Sequence, residues 1–352
     1  MDIGPWSGSV VGAATRGSVA HEERSFVPAV PPPRPRKLDI DTLTQTKGQT
    51  MAEHHFPQSG PPIIAAIDSS ACSYQAAAWA ALDAVLHRRP LHLLIAVGIP
   101  LGFGRGAAPS ASDAEWLRRD GERILVEATR IAREAVPGEE LELTTEVTFE
   151  NVIPALLDRS ERARMLVVGS RGVGAFHRRV PGSVTTAVVR HAQCPVAVIH
   201  DIADTDPDRG ERPVVVGVDG SSNSVPAIGL AFEEASLRKV SLTALHTWSD
   251  AGSLDLPWSG WETARESEEA LLAEQLAGLR ERYPDVPVQR ITTVDRPARA
   301  LLEESANAQL LVVGSHGRGG FAGMMLGSTS NALLHSVQCP MIVVRNGQRH
   351  RS

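Results

Sequence analysis

The stretch Leu310–Val344, LLVVGSHGRGGFAGMMLGSTSNALLHSVQCPMIVV, occurs earlier in altered form as Met165–Ile199, MLVVGSRGVGAFHRRVPGSVTTAVVRHAQCPVAVI. In each copy an apolar strand runs into a glycine loop, a second glycine followed by serine opens a helix, and Cys-Pro leads into another apolar strand. Gly169 to Gly314 and Cys194 to Cys339 both span 145 residues (314 − 169 and 339 − 194), so the offset is unbroken. A repeat of that period is a duplicated domain, because solenoid repeats are far shorter.

Working outward from the first copy, the pattern from Pro61 alternates strands with helices. Apolar runs at Pro62–Asp68, Leu91–Val97 and Met165–Gly169, a weaker alternating run at Leu141–Phe149 and the run Val196–His200 predict five strands. Helices are expected at Gln75–His87, Asp113–Ala135, Ile153–Arg162 and from Gly182 onward, the second with Trp116, Ile124, Ala128 and Ile131 on its buried face. After a polar linker, 201–212, the order repeats from Pro213–Asp219 to Met341–Arg345. Buried strands alternating with helices imply an α/β fold, with parallel sheets covered on both faces. The expected domains are 61–200 and 213–346, flanked by an extension, 1–60, and a short tail, 347–352, both read as disordered. The extension carries Pro31-Pro32-Pro33-Arg34-Pro35 and no sustained period. Met51, nine residues before Gly60 (60 − 51), is an expected alternative start of translation; a flexible tail or Pro-rich ligand is the rival reading.

Composition bounds the function. Hydrophobic residues make up 42% and charged residues 22% of 352, ordinary for a globular protein of about two domains. A net charge of −6 argues against a general nucleic-acid or anionic-membrane binder. Three cysteines make no disulfide framework and read as small buried thiols. No apolar run approaches the ~20 residues needed to span a bilayer, and the expected location is the cytoplasm.

Two features recur at strand ends. The first strand of each copy ends in Ile67-Asp68-Ser69-Ser70 or Val218-Asp219-Gly220-Ser221, and the fourth ends in the glycine loop. If the first and fourth strands are neighbours, Asp and loop share a crevice at the carboxyl ends, where open α/β sheets bind ligands. Glycines let backbone N–H groups converge on a phosphate, and a helix opening at Gly327-Ser328 offers further unpaired N–H groups. Ser328 either caps that helix or donates its hydroxyl to phosphate. Asp219 suits a ribose hydroxyl, an adenine amine or a divalent ion. The bland alternatives are a helix N-cap for Asp68 and Asp219 and plain turn chemistry for the glycines; recurrence of both features in both copies favours nucleotide binding. A lysine-bearing P-loop, a dinucleotide fingerprint after the first strand and the kinase motifs are all missing. Trp258 and Trp261 read as packing under a loop or as a lid, and His54-His55 shows no metal-ligand spacing.

Gly314-x2-Gly317-x9-Gly327-Ser328 and Gly169-x2-Gly172-x9-Gly182-Ser183 resemble the glycine pattern of the ATP-binding branch of the universal stress protein family. Val216-Gly217-Val218-Asp219-Gly220-Ser221, His246-Thr247-Trp248-Ser249, Arg296-Pro297-Ala298 and Cys339-Pro340 are similar to it too, over about residues 61 to 346. The tandem layout resembles the double-domain members of actinobacteria. The resemblance implies two Rossmann-like domains, each an open five-stranded parallel sheet in the order 3-2-1-4-5. It implies an ATP site, with Mg²⁺, at Gly217, Asp219, Thr247, Gly314, Ser315, His316, Gly317, Arg318, Gly319, Gly320, Gly327, Ser328 and Thr329. The matching positions in the first copy are Asp68, Val97, Gly169, Ser170, Arg171, Gly172, Val173, Gly174, Ala175, Gly182, Ser183 and Val184, joined by Arg179 from a basic loop that reaches phosphate or is merely solvated. Departures there are Ala66 for the glycine before Asp68, Ser69 for Gly220, and His177–Pro181 for the small apolar Ala322–Leu326. The implied role is a nucleotide-dependent regulator of stress response or growth. Its rivals are a slow ATP hydrolase, for which no general base, lysine or arginine finger is evident, and an interaction module that binds cyclic AMP or no nucleotide. Pairing is expected between the two halves or across a homodimer, through the strands after each Cys-Pro.

Overall fold

The computed structural model describes residues 60–98, 111–172, 181–200, 210–248, 258–318 and 326–345. The first half, here unit one, runs β1 (Ile63–Ile67), α1 (Ala71–His87), β2 (Leu91–Ala96), α2 (Ala111–Glu134), β3 (Leu143–Thr148), α3 (Val152–Ser160), β4 (Met165–Gly169), α4 (Ser183–His191), β5 (Val196–Ile199). Unit two repeats it as β6 (Val214–Val218), α5 (Val225–Arg238), β7 (Leu242–Thr247), α6 (Trp258–Arg282), β8 (Val288–Thr293), α7 (Pro297–Ser305), β9 (Leu310–Gly314), α8 (Ser328–Ser336), β10 (Met341–Val344). The expected extension, linker and tail lie outside the described residues, apart from Gly60, Gly210, Glu211 and Arg212.

Within each unit the strands are parallel and ordered 3-2-1-4-5, as the resemblance implied. The two sheets do not stay separate. β5 and β10 pair antiparallel, with Ala197 opposite its own repeat mate Ile342, and this joins the units into one ten-stranded sheet. Alternate side chains feed two apolar layers. One layer packs Ile63 and Val214 under α1, α2, α5 and α6; the other packs Ile64 and Val215 under α3, α4, α7 and α8. The strands β1, β4, β5, β6, β9 and β10 are therefore apolar or glycine along their whole length, whereas the edge strands β3 and β8 carry exposed Thr144, Thr145, Gln289 and Arg290.

One expectation for α2 fails. Ile124 and Ala128 are buried, but Ile131 is half-buried and Trp116 is 65% exposed. A 24-residue helix is roughly 36 Å long, while the six-residue strand β2 beside it spans only about 20 Å. The first turns of α2 run past the sheet, so the helical period continues where there is nothing to bury it.

The units also meet through α1 and α5, related by the same pseudo-two-fold as the strands. Asp83 and Glu234 are repeat mates, as are His87 and Arg238 (234 − 83 = 238 − 87 = 151). Arg238 donates to Asp83 at 2.8 Å and to Glu234 at 3.1 Å, while His87 Nε2 lies 2.8 Å from Glu234. Arg164 adds a bond to Glu233 at 2.7 Å, and the Arg238 guanidinium stacks 5.4 Å over the Trp79 ring. Both central carboxylates are fully buried. Burial and the neighbouring Glu234 push the Asp83 carboxyl up to about 7, and Asp83 Oδ2 has no hydrogen-bond partner. Burial also opposes the charge on Glu234, but Arg238 and His87 win and hold it at about 2. His87 resists its burial and is drawn up to about 9 by Glu233 and Glu234. Asp83, His87 and Glu234 could supply metal ligands, but Arg238 already provides their cation. All three cysteines are buried free thiols, and burial pushes Cys194 up to about 12.

Candidate functional site

In both units the first strand lies beside the fourth, and the connections leave in opposite directions. That is the switch point at which the carboxyl ends of an open sheet leave a crevice. Asp219, at the end of β6, and the loop after β9 therefore share one crevice. A cavity of about 480 Å³ opens there, within the range of small-molecule sites.

The glycines make close approach possible. A Cβ on Gly317 would lie 3.0 Å from Asp219 Oδ2, and one on Gly314 would lie 3.3 Å from the Asn223 carbonyl. Asp219 Oδ1 accepts the Ser221 N–H at 3.0 Å and its hydroxyl at 2.8 Å, which orients the carboxylate toward the loop. Gly327 is the N-cap of α8 and makes no side-chain cap, so the first-turn N–H groups of α8 face the cavity uncapped. Ser328 is thus the first helical residue, and the reading of it as a cap falls away. Two bonds tie this helix start to the end of β9: Gly327 N–H to the Ser315 carbonyl at 2.7 Å, and the Ser330 hydroxyl to the Gly314 carbonyl at 2.6 Å.

Of the expected residues, Gly217, Asp219, Thr247, Gly314, His316, Gly317, Arg318, Gly327, Ser328 and Thr329 line the cavity. Ser315 is buried, and its side chain turns to His316 Nδ1 at 2.9 Å. Gly319 and Gly320 lie outside the described residues. Sequence reasoning missed the apolar wall of Leu245, Trp248, Pro297, Leu301 and Val313, and it missed Glu268. Trp248 and Pro297 stand in phrases that resemble the family without being marked as lining, and Leu245, Leu301 and Val313 carry no motif signal. Glu268 sits mid-helix among other glutamates, and nothing local distinguishes it.

Unit one repeats the frame. A Cβ on Gly172 would run into Asp68 Oδ2, and Asp68 Oδ1 accepts the Ser70 N–H at 3.0 Å and hydroxyl at 2.5 Å. Gly182 donates to the Ser170 carbonyl at 2.9 Å, and the Thr185 hydroxyl bonds the Gly169 carbonyl at 2.7 Å. Asp68 is exposed, however, where Asp219 is half-buried, and Val184 packs into the apolar layer. Arg171 and Ser183 stand at the loop and the helix start, while Val173, Gly174, Ala175 and Arg179 lie outside the described residues. The match of Val97 to Thr247 is off by one. Ile67 pairs with Ile95 as Val218 pairs with His246, so Ala96 takes the place of Thr247 and Val97 that of Trp248. Val97 and Trp248 N–H groups accordingly bond the next strand alike, at 2.9 Å to Thr148 and 3.1 Å to Thr293.

The model of the universal stress protein family matches twice, over residues 61–200 and 211–345. The chain belongs to the universal stress protein family. A universal stress protein of Mycobacterium tuberculosis is 43% identical over 290 residues, covering 82% of this chain and 98% of its own; one from Mycobacterium bovis matches equally. A universal stress protein structure from Archaeoglobus fulgidus shares the fold with a TM-score of 0.60 at 19% identity, over 83% of this chain and all of its own. Among the described residues of this universal stress protein, no helix is long and apolar enough to cross a membrane.

Proposed function

We propose that unit two binds ATP with Mg²⁺, that unit one offers a second and weaker site, and that the protein acts in the cytoplasm as a nucleotide-dependent regulator of stress response or growth. The observation that carries the site reading is the closure of Gly317 against Asp219 beside the uncapped start of α8. Backbone N–H groups from the loop and helix suit the phosphates, which the helix dipole also favours. Leu245 and Trp248 offer an apolar wall to a base beside the Thr247 backbone. Mg²⁺ is commonly held by one or two carboxylates together with phosphate oxygens, and Asp219 is the carboxylate placed against the loop. Family membership supports the regulatory role. The described lining holds no lysine, and the Glu268 carboxylate is engaged by His246 and Arg318, so any hydrolysis is expected to be slow.

Purified protein should release adenine nucleotide on denaturation, and added ATP should raise its melting temperature. Gly327→Glu should abolish binding in unit two, since a Cβ there already lies 3.2 Å from the Ser315 carbonyl and the new carboxylate would sit where phosphate belongs. Unchanged nucleotide occupancy in that variant would show the loop to be structural.

A further inference from the structure

Arg318 leaves the loop directly after Gly317 and reaches across the Asp219–Gly220 turn, where a Cβ on Gly220 would run into its guanidinium. It donates to Glu268 Oε2 at 3.2 Å. Glu268 is in turn held by buried His246, whose Nε2 is 2.7 Å from the same oxygen and whose Nδ1 is 2.7 Å from the Val218 carbonyl. Burial raises the Glu268 carboxyl, but His246 and Arg318 outweigh it and hold it below the usual range, so it stays anionic. The guanidinium that leaves the glycine loop is thus paired with an internal anion.

Unit one lacks two of the three members. Ile95 takes the place of His246 and Val173 stands at the position of Arg318 (318 − 145). The residue that holds the carboxylate and the cation it pairs with differ together, as they would if they formed one device. The Arg318–Glu268 bond is single and half-exposed, with Arg318 46% accessible, so it is weak and easily exchanged. A polyphosphate brings more charge and more acceptor oxygens to a guanidinium than one carboxylate does.

We propose that Arg318 recognises the distal phosphates of a nucleoside di- or triphosphate in unit two, and that Glu268, positioned by His246, is the internal anion Arg318 must leave to do so. This rests on the nucleotide reading of the same cavity. It makes unit two selective for phosphate number.

The test is calorimetric titration of the full chain with ATP and with adenosine, in a Gly182→Glu background that silences unit one. Arg318→Gln should weaken ATP by about tenfold, the scale of one lost charge-assisted bond, and leave adenosine within about twofold. Glu268→Gln should tighten ATP several-fold without moving adenosine, and the double variant should match Arg318→Gln alone. Glu268→Asp, which shortens the reach to Arg318 but keeps a carboxylate for His246, gives the same direction should the glutamine variant fail to fold. An ATP-to-adenosine ratio unmoved by Arg318→Gln, or ATP and adenosine weakened equally by both Glu268 variants, overturns the proposal and leaves the site standing. No ATP binding by the Gly182→Glu parent overturns the site and the proposal together.

Discussion

Units one and two share a frame and differ in what faces the crevice. Both keep the aspartate at the first strand end, the glycine that closes on it, the glycine N-cap, and a hydroxyl from the helix bonded to the last strand carbonyl (Thr185 and Ser330). Unit two adds Gly217, Gly220, His246, Trp248 and Arg318 where unit one has Ala66, Ser69, Ile95, Val97 and Val173. Leu301 already presses on Gly217, with 3.0 Å left for a Cβ, so a methyl such as that of Ala66 would crowd this cavity wall in unit two. The comparison separates two kinds of constraint. The closure of the loop glycine on the aspartate is kept in both copies, whereas the side chains around the crevice diverged.

The sharpest way to break the symmetry between units is at their shared charge cluster. Arg238→Ala leaves Asp83 and Glu234 buried without the guanidinium that bonds them both and should cost about 3–5 kcal/mol in urea unfolding. His87→Ala, at the mate position, should cost distinctly less, because His87 is 2.8 Å from Glu234 but 3.8 Å from Asp83, whereas Arg238 hydrogen-bonds both; equal losses would mean the cluster is symmetric in energy as well as in position. A second prediction concerns pH. The folded Asp83 pKa of about 7 lies above the ordinary carboxyl value of 3.8, so its contribution is whole below about pH 4 and lost as pH rises through 7. Asp83→Asn should flatten the fall in stability between pH 5 and 7, where one proton contributes at most ~1.4 kcal/mol per pH unit. Melting temperatures across that range decide it, and parallel curves for both proteins would remove Asp83 as the source.

Smaller effects sharpen the site comparison. Ser69 is forced to φ 66° where Gly220 adopts 78°. Left-handed backbone costs a non-glycine residue about 1–2 kcal/mol, partly offset by the added flexibility of glycine. Ser69→Gly should therefore stabilise by up to about 1 kcal/mol, and Gly220→Ser should destabilise unit two by more, since Arg318 and Leu271 crowd its Cβ. Trp116→Ala should change stability by no more than about 0.5 kcal/mol, because the side chain is mostly exposed.

Much of the frame was legible because its signals are local. The apolar runs of β4 and β9 and the spacing Gly314-x2-Gly317-x9-Gly327 lie within short spans, and each glycine marks a contact its own loop makes. Trp116 shows where local reading misleads: helical period persists along α2, but burial depends on whether a strand lies underneath. Glu268 shows the converse, a cavity residue with no local mark at all. Its partners, His246 and Arg318, come from β7 and from the loop after β9.

By itself the sequence determined a duplicated α/β chain with an aspartate and a glycine loop at equivalent strand ends, because periodicity, glycine spacing and repeat offset are properties of neighbouring residues. Tertiary structure decided the rest. It joined β5 to β10 into a single sheet, set Asp83 against Arg238, and brought Glu268 between His246 and Arg318. Those contacts span tens to more than a hundred residues, and only the packing of helices on the sheet brings such partners within reach of one another.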